Sequence, residues 1–184
     1  MKIHGKSAYS LDCMKNLTQQ LKKADRLAAI TQRIGFALWQ IQELEGVSAQ
    51  YFVLVVQAKK GMGLAAGNAL DEKAKKKTFG ATIHQIAKAG LLNSELESRF
   101  TNLLLERNWL VHRSRTDSRS AIHSDLEMQR LVVRLDEMAE ESLSLLREIG
   151  VLSEAHVKKH GVTEEYINEK AKELLEQWHA SDAI

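Results

Sequence analysis

Positions 107, 108 and 112 place an arginine, an asparagine and a histidine in the otherwise apolar stretch LLLERNWLVHRS. An arginine stays cationic and can bind a phosphate through two donors, whereas a histidine can exchange a proton near neutral pH. The helix neighbours of Arg107 are leucines and a valine, so its guanidinium is expected on a buried face. Because a buried charge needs a partner, the pattern predicts either a functional site or an ion pair to Glu43 or Glu45.

Arg107 and His112 cannot share one face of a helix. Five steps of about 100° place the two side chains about 140° apart, whereas Asn108 and His112, four residues apart, do share a face. Two copies of this helix that cross at a two-fold axis would bring both residues of both chains around one cleft. The spacing therefore predicts a homodimer through the helix at 93–114.

The stretch ERNWLVHRS resembles the R-x(4–6)-H motif of the HEPN superfamily (higher eukaryotes and prokaryotes nucleotide-binding), in the form with a polar residue after the arginine. The preceding segment KTFGATIHQIAKAGLLNSELESRFTNLLL is similar to bacterial members that carry a TFG helix before the motif helix. The family is an all-α up-and-down bundle, commonly dimeric through the motif helices. Many members are metal-independent ribonucleases in toxin–antitoxin, phage-defence and RNA-processing systems, and others have lost the motif and only bind.

The resemblance implies an RNA substrate, no cofactor, no metal and, in some settings, a cognate antitoxin protein as partner. Cleavage would use the ribose 2′-OH as nucleophile and leave a 2′,3′-cyclic phosphate. The expected catalytic residues are His112, which moves protons, Arg107, which stabilises charge on the phosphate, and Asn108, which orients either group. Glu106 could hold the guanidinium of Arg107, or it could be a solvated acid.

Basic residues around the motif are candidates for holding the RNA backbone, because such clusters bind phosphates without sequence preference. The predicted RNA-binding residues are Arg113, Arg115, Arg119, Lys76 and Lys77. A lysine run such as that at 73–77 is more often a solvated surface than a binding site.

Helices are expected to position these residues. The chain has 184 residues and no proline, which favours long helices. The apolar spacing predicts an all-α bundle over 10–152 and a helical extension over 153–184, with a long amphipathic helix at 124–152 that only Ser142 interrupts. Asn93 is expected to cap the motif helix and Gly90 to end the helix before it. The glycine-rich stretch before Lys76 is predicted to be a loop.

Composition narrows the class of protein. The single Cys13 cannot form an internal disulfide and fits a reducing cytosol, and the longest apolar run is far shorter than the roughly 20 residues that span a bilayer. A cytoplasmic protein without a membrane segment is therefore predicted. His156 and His160 have the spacing of a zinc pair, but no third ligand is evident.

Three functions are compatible with these patterns. The first is a metal-independent endoribonuclease, in a toxin–antitoxin or phage-defence system. The second is a non-catalytic helical dimer that binds nucleotides, RNA or protein, in which Arg107 and His112 form a polar network. The third is a helical scaffold in which the apolar stripe at 124–152 is a coiled-coil-like dimer seam.

Overall fold

The computed structural model describes residues 6–181, and most of them are helical. In chain order the helices are α1 (Lys6–Phe52, extended by a π-helical turn at Val53–Gln57), α2 (Leu64–Lys75), α3 (Phe79–Lys88), α4 (Ser94–His112), α5 (Ser114–Asp117, followed by a 3-10 turn at Arg119–Ile122), α6 (Asp125–Lys159) and α7 (Glu164–Ser181). No strand occurs within the described range, so the predicted all-α class is confirmed. None of the helices in that range has the length and apolar character needed to cross a membrane.

The parallel pair α1 and α6 forms the centre of the bundle. Arg26 binds Asp125 at the start of α6, and Arg33, about two turns further along α1, binds Asp136, about three turns further along α6. Residue numbers therefore rise together along both helices. The two buried stripes repeat at steps of three and four residues, as in a coiled coil. They consist of Ile30, the half-buried Ile34, Ala37, Ile41, Leu44 and Ser48 on α1 and of Leu131, Leu135, Met138, Ser142, Leu145 and Ile149 on α6.

This pairing decides the role of the predicted stripe at 124–152. Its residues are covered by α1 of the same chain, which contradicts the interpretation of the stripe as a dimer seam. Ser142, its polar interruption, is fully buried, and its Oγ donates to the carbonyl oxygen of Met138 at 2.8 Å. The hydroxyl is therefore satisfied by its own helix.

Helix boundaries differ from prediction at three places. The glycine-rich stretch forms α2 from Leu64 onward, because alanine, leucine and lysine favour helix and Ala74 reaches the core. Only residues 58–63 form a connection, in which Gly61 and Gly63 have positive φ. In addition, α1 already begins at Lys6, and α6 continues beyond the predicted end at 152.

The motif helix α4 runs antiparallel to α6. Arg99 near its start binds Glu141, and Glu106 near its end binds Arg134, so residue numbers rise in opposite directions. The predicted cap is confirmed, since the side chain of Asn93 accepts a hydrogen bond from the first turn at 2.8 Å.

The short helix α3 packs against both α1 and α4. The ring of Phe79 meets that of Phe100 on α4 edge to face, with centroids 6.1 Å apart. Gly90 ends the segment with a φ of 69°, as predicted. This packing brings the first turn of α3, which is the TFG segment, against the motif helix.

Candidate functional site

Arg107 lies on the side of α4 that faces α1. Its Nε donates to Oε1 of Glu45 at 3.2 Å, and the two side chains are 30% and 27% exposed. Of the two partners that the sequence suggested, the structure selects Glu45, while Glu43 is exposed. No other polar contact of the Arg107 side chain occurs among the described residues, so its two terminal nitrogens remain open to a ligand.

Arg107 and Asn108 border a depression of about 360 Å³. The remaining lining comes from three elements: Glu45 on α1, Leu104 on α4, and Lys77, Thr78, Phe79 and Gly80 at the start of α3. The TFG segment and the motif helix, distant in sequence, therefore form one concave surface. Its volume lies at the lower end of the range of about 300–1,000 Å³ that is typical of ligand sites.

The start of α3 is held rigidly at the edge of this depression. Thr78 caps the helix by accepting a hydrogen bond from the amide of Ala81 at 3.3 Å. The Nζ of Lys77 donates to Gln85 at 2.7 Å and lies 4.6 Å from the ring centroid of Phe52. Lys77 thus adds positive charge from a fixed position, whereas its neighbour Lys76 is exposed.

His112 is the last residue of α4 and is exposed to solvent. His112 shares one face of α4 with Asn108, about one turn before it, and with Leu105, about two turns before it. Leu105 is 64% exposed. Arg107 faces the bundle instead. Within one chain the structure therefore keeps Asn108 and His112 on one face of α4 and turns Arg107 away from His112, as the rotation of about 100° per residue requires.

The predicted RNA-binding residues fall into separate places on one chain. Arg113 is exposed and lies 3.5 Å from Asp117. Arg115 and Arg119 border a second groove of about 440 Å³ between α1 and the segment after α4, which is otherwise lined by aliphatic side chains and by serine and threonine hydroxyls. Lys76 and Lys77 lie between the end of α2 and the start of α3. A single continuous basic cleft is not formed by these residues within one chain.

Glu106 has a different partner from the one suggested by the sequence. Its carboxylate accepts two hydrogen bonds from Arg134 of α6, at 2.7 and 3.0 Å. The reason is that successive helix residues point about 100° apart, so Glu106 faces α6 when Arg107 faces α1.

A cluster around Trp109 was missed by sequence reasoning. The guanidinium carbon of Arg134 lies 3.4 Å from the centroid of the Trp109 ring, and the indole nitrogen of Trp109 donates to Asp117 at 3.0 Å. These contacts fix the end of α4, which carries His112. The tryptophan inside the motif was the available signal, but its partners come from α6 and α5.

In the described part of the chain, no three or more His, Cys, Asp or Glu side chains lie close enough together to hold a metal ion. The rings of His156 and His160 are 4.4 Å apart at the end of α6. Burial, together with the charges of His160 and Lys159, lowers the pKa of His156.

Comparison with family models, with curated proteins and with solved structures gives no match for this chain. The resemblance to the HEPN superfamily accordingly rests on the motif ERNWLVHRS and on the TFG segment before it. Both segments border the depression at Arg107.

Proposed function

We propose that this chain is a metal-independent endoribonuclease of the HEPN type that acts as a homodimer. The observation that carries the proposal is the environment of Arg107, which is half-buried, aligned through Nε by Glu45 and open at its terminal nitrogens beside Asn108. A guanidinium held in this way presents two donors to a phosphate without having to reorganise.

The two remaining residues supply the other parts of the reaction. His112 is exposed and can accept the proton of the ribose 2′-OH or donate one to the leaving 5′ oxygen. Asn108 lies between the depression and the solvent face, where its amide can orient the phosphate or the imidazole. The products would be one fragment with a 2′,3′-cyclic phosphate and one with a 5′-hydroxyl.

The homodimer is part of the same proposal. The face of α4 with Asn108 and His112 also exposes Leu105, about one turn before Asn108, and an exposed apolar residue there favours contact with a second copy of the helix. Such a contact would bring His112 of each chain towards Arg107 of its partner and would join the separate basic residues of two chains. A cytoplasmic role with a cognate antitoxin or in phage defence is consistent with this activity.

The test is cleavage of a 5′-labelled RNA in EDTA, followed by end-group analysis. We expect fragments with 2′,3′-cyclic phosphate, and we expect His112→Ala to reduce the rate by about 10²–10⁴. The matched control is His123→Ala, because His123 is also exposed but lies outside the motif. Cleavage by His112→Ala at the wild-type rate, or cleavage only with added divalent metal, would contradict the proposal.

A second candidate function is a non-catalytic dimer that binds RNA, nucleotide or protein. The ion pair between Arg107 and Glu45 favours it, because a carboxylate already compensates the cation. In that case wild-type protein binds RNA without cleaving it, and His112→Ala binds with the same affinity.

A further inference from the structure

A second depression adjoins the one at Arg107. It has a volume of about 210 Å³ and lies between α1, the end of α2 and the first turn of α3. Three residues border both depressions, namely Glu45, Lys77 and Phe79. A ligand with one group bound at Arg107 therefore has only this shared border to pass before its next group enters the second depression.

One side of α1 supplies hydrogen-bonding groups to the second depression. Gln42 and Glu45 both border it, because residues three apart are neighbours on a helix surface. The side chain of Gln42 makes no hydrogen bond to the described part of the chain. The carboxylate of Glu45 contacts Arg107 through Oε1, and its Oε2 has no partner among the described residues. One amide and one carboxylate oxygen are thus left for a ligand.

Gly46 leaves the second depression open. It stands within α1, where glycine lowers the stability of a helix relative to alanine. It borders the depression next to Glu45, and a Cβ added to it would meet no atom within 4 Å. The fold therefore has room for a side chain at this position, and a large one would compete with a ligand for the depression.

The rest of the lining suits a flat ring that is bound to a phosphate chain. The walls include Ala49, Ala74 and Phe79, all of which are buried, and apolar walls with a few polar groups are typical of small-molecule sites. Lys77 adds a cation at the shared border, where its Nζ is held by Gln85 at 2.7 Å. The positive charge thus lies on the side of Arg107, and the uncharged walls lie beyond it.

We propose that the second depression binds the nucleobase next to the phosphate at Arg107 and selects bases that carry an exocyclic amine. This inference rests on the proposed function, because it concerns the same RNA. A carboxylate accepts hydrogen bonds and donates none, so Oε2 of Glu45 pairs with the amino group of cytosine, adenine or guanine. Uracil presents carbonyl oxygens there instead, which repel the carboxylate. Glu45 then has two roles, since Oε1 aligns Arg107 and Oε2 contacts the base.

Strands that cannot be cleaved separate binding from catalysis. Short 2′-O-methyl strands of cytidine and of uridine lack the 2′-OH nucleophile, and their bases have the same size. We expect the wild-type protein to bind the cytidine strand about tenfold more tightly, because uracil replaces a hydrogen bond by a repulsion. Fluorescence anisotropy at one fixed salt concentration measures both affinities, and the phosphate contacts contribute equally to each.

Gly46→Leu tests whether the depression is the site of this preference. Leucine favours helix, so the Tm should not fall, but its side chain fills the depression and the preference for cytidine should disappear. The matched control is Gly35→Leu, in the same helix and also with no atom within 4 Å of an added Cβ, but away from both depressions. This control should keep the full preference.

Glu45→Gln tests the group that contacts the base. The amide of glutamine can donate to a carbonyl of uracil, so this variant should lose most of the preference for cytidine. Equal binding of both strands by the wild-type protein, or binding of neither, would overturn the inference. An unchanged preference in Gly46→Leu or in Glu45→Gln would overturn it as well.

The cleavage assay in EDTA distinguishes this inference from the proposed function. If the two strands bind alike while RNA is cut at cytidine and uridine with equal rates, only the base subsite is wrong. If the cytidine strand is preferred and no RNA is cut, only the proposed ribonuclease activity is wrong.

Discussion

The two buried serines at the α1–α6 interface should respond in opposite ways to replacement by alanine. Ser48 and Ser142 are both fully buried, but the Oγ of Ser142 donates to the carbonyl of Met138 at 2.8 Å, whereas that of Ser48 has no hydrogen-bond partner among the described residues. A buried hydroxyl without a partner costs about 1–3 kcal/mol, and a satisfied one contributes about 0.5–1.5 kcal/mol. Both substitutions exchange the same atoms and gain the same helix propensity.

From these values we expect Ser48→Ala to raise the free energy of unfolding by about 1 kcal/mol, after allowance for the small void left by the oxygen. For a chain of this size that corresponds to an increase in Tm of about 2–4 °C. Ser142→Ala should be neutral or destabilising by up to about 1 kcal/mol, since it gives up a hydrogen bond.

The measurement is urea denaturation followed by far-UV circular dichroism, at one fixed protein concentration because a dimer's stability depends on it. An equal loss of stability in both variants would refute the reasoning. It would mean that the hydroxyl of Ser48 also reaches a backbone carbonyl of its own helix.

The remaining predictions concern the site and its surroundings. Arg107→Lys keeps the charge but loses the forked donors of the guanidinium, so the cleavage rate should fall by about 10²-fold. The Tm should change little, because a partly exposed ion pair contributes only about 0.2–1 kcal/mol to stability. An unchanged cleavage rate would contradict the role of the guanidinium. Arg115→Ala should lower the log–log salt slope of RNA binding by about 0.7 if Arg115 contacts one phosphate of a single strand, and a filter-binding titration over salt measures it. The lowered pKa of His156 means that the unfolded chain binds this proton more readily than the folded one, so stability is complete above the ordinary pKa of histidine and declines as the pH falls through it. His156→Gln should remove that part of the decline between pH 8 and pH 5 in denaturation curves, and an identical decline in both proteins would show that His156 does not cause it.

Local patterns in the sequence were sufficient for the helical class and for much of the motif helix. The cap at Asn93, the end at Gly90 and the stripe of α6 depend on residues within a few positions of one another, so they can be read without knowing the fold. The same holds for the divergence of Arg107 from His112, because it follows from the rotation of about 100° per residue. The loop predicted for the glycine-rich stretch that forms α2 is wrong: its glycines favour a loop locally, but its alanines favour helix and Ala74 packs into the core, which only the tertiary structure shows.

The spacing of apolar residues is enough to show which side of each helix is apolar, but what covers that side depends on how the helices pack in three dimensions. A periodic apolar stripe does not show which element packs on it. The stripe of α6 was therefore equally compatible with packing on a second chain and with packing on α1, and in the structure α1 covers it. For the same reason the choice of Glu45 for Arg107, of Arg134 for Glu106 and of the TFG segment as a wall of the depression depended on how the helices pack. Ion pairs and concave surfaces between distant segments arise from relative helix positions, and those are set by the packing of the whole chain.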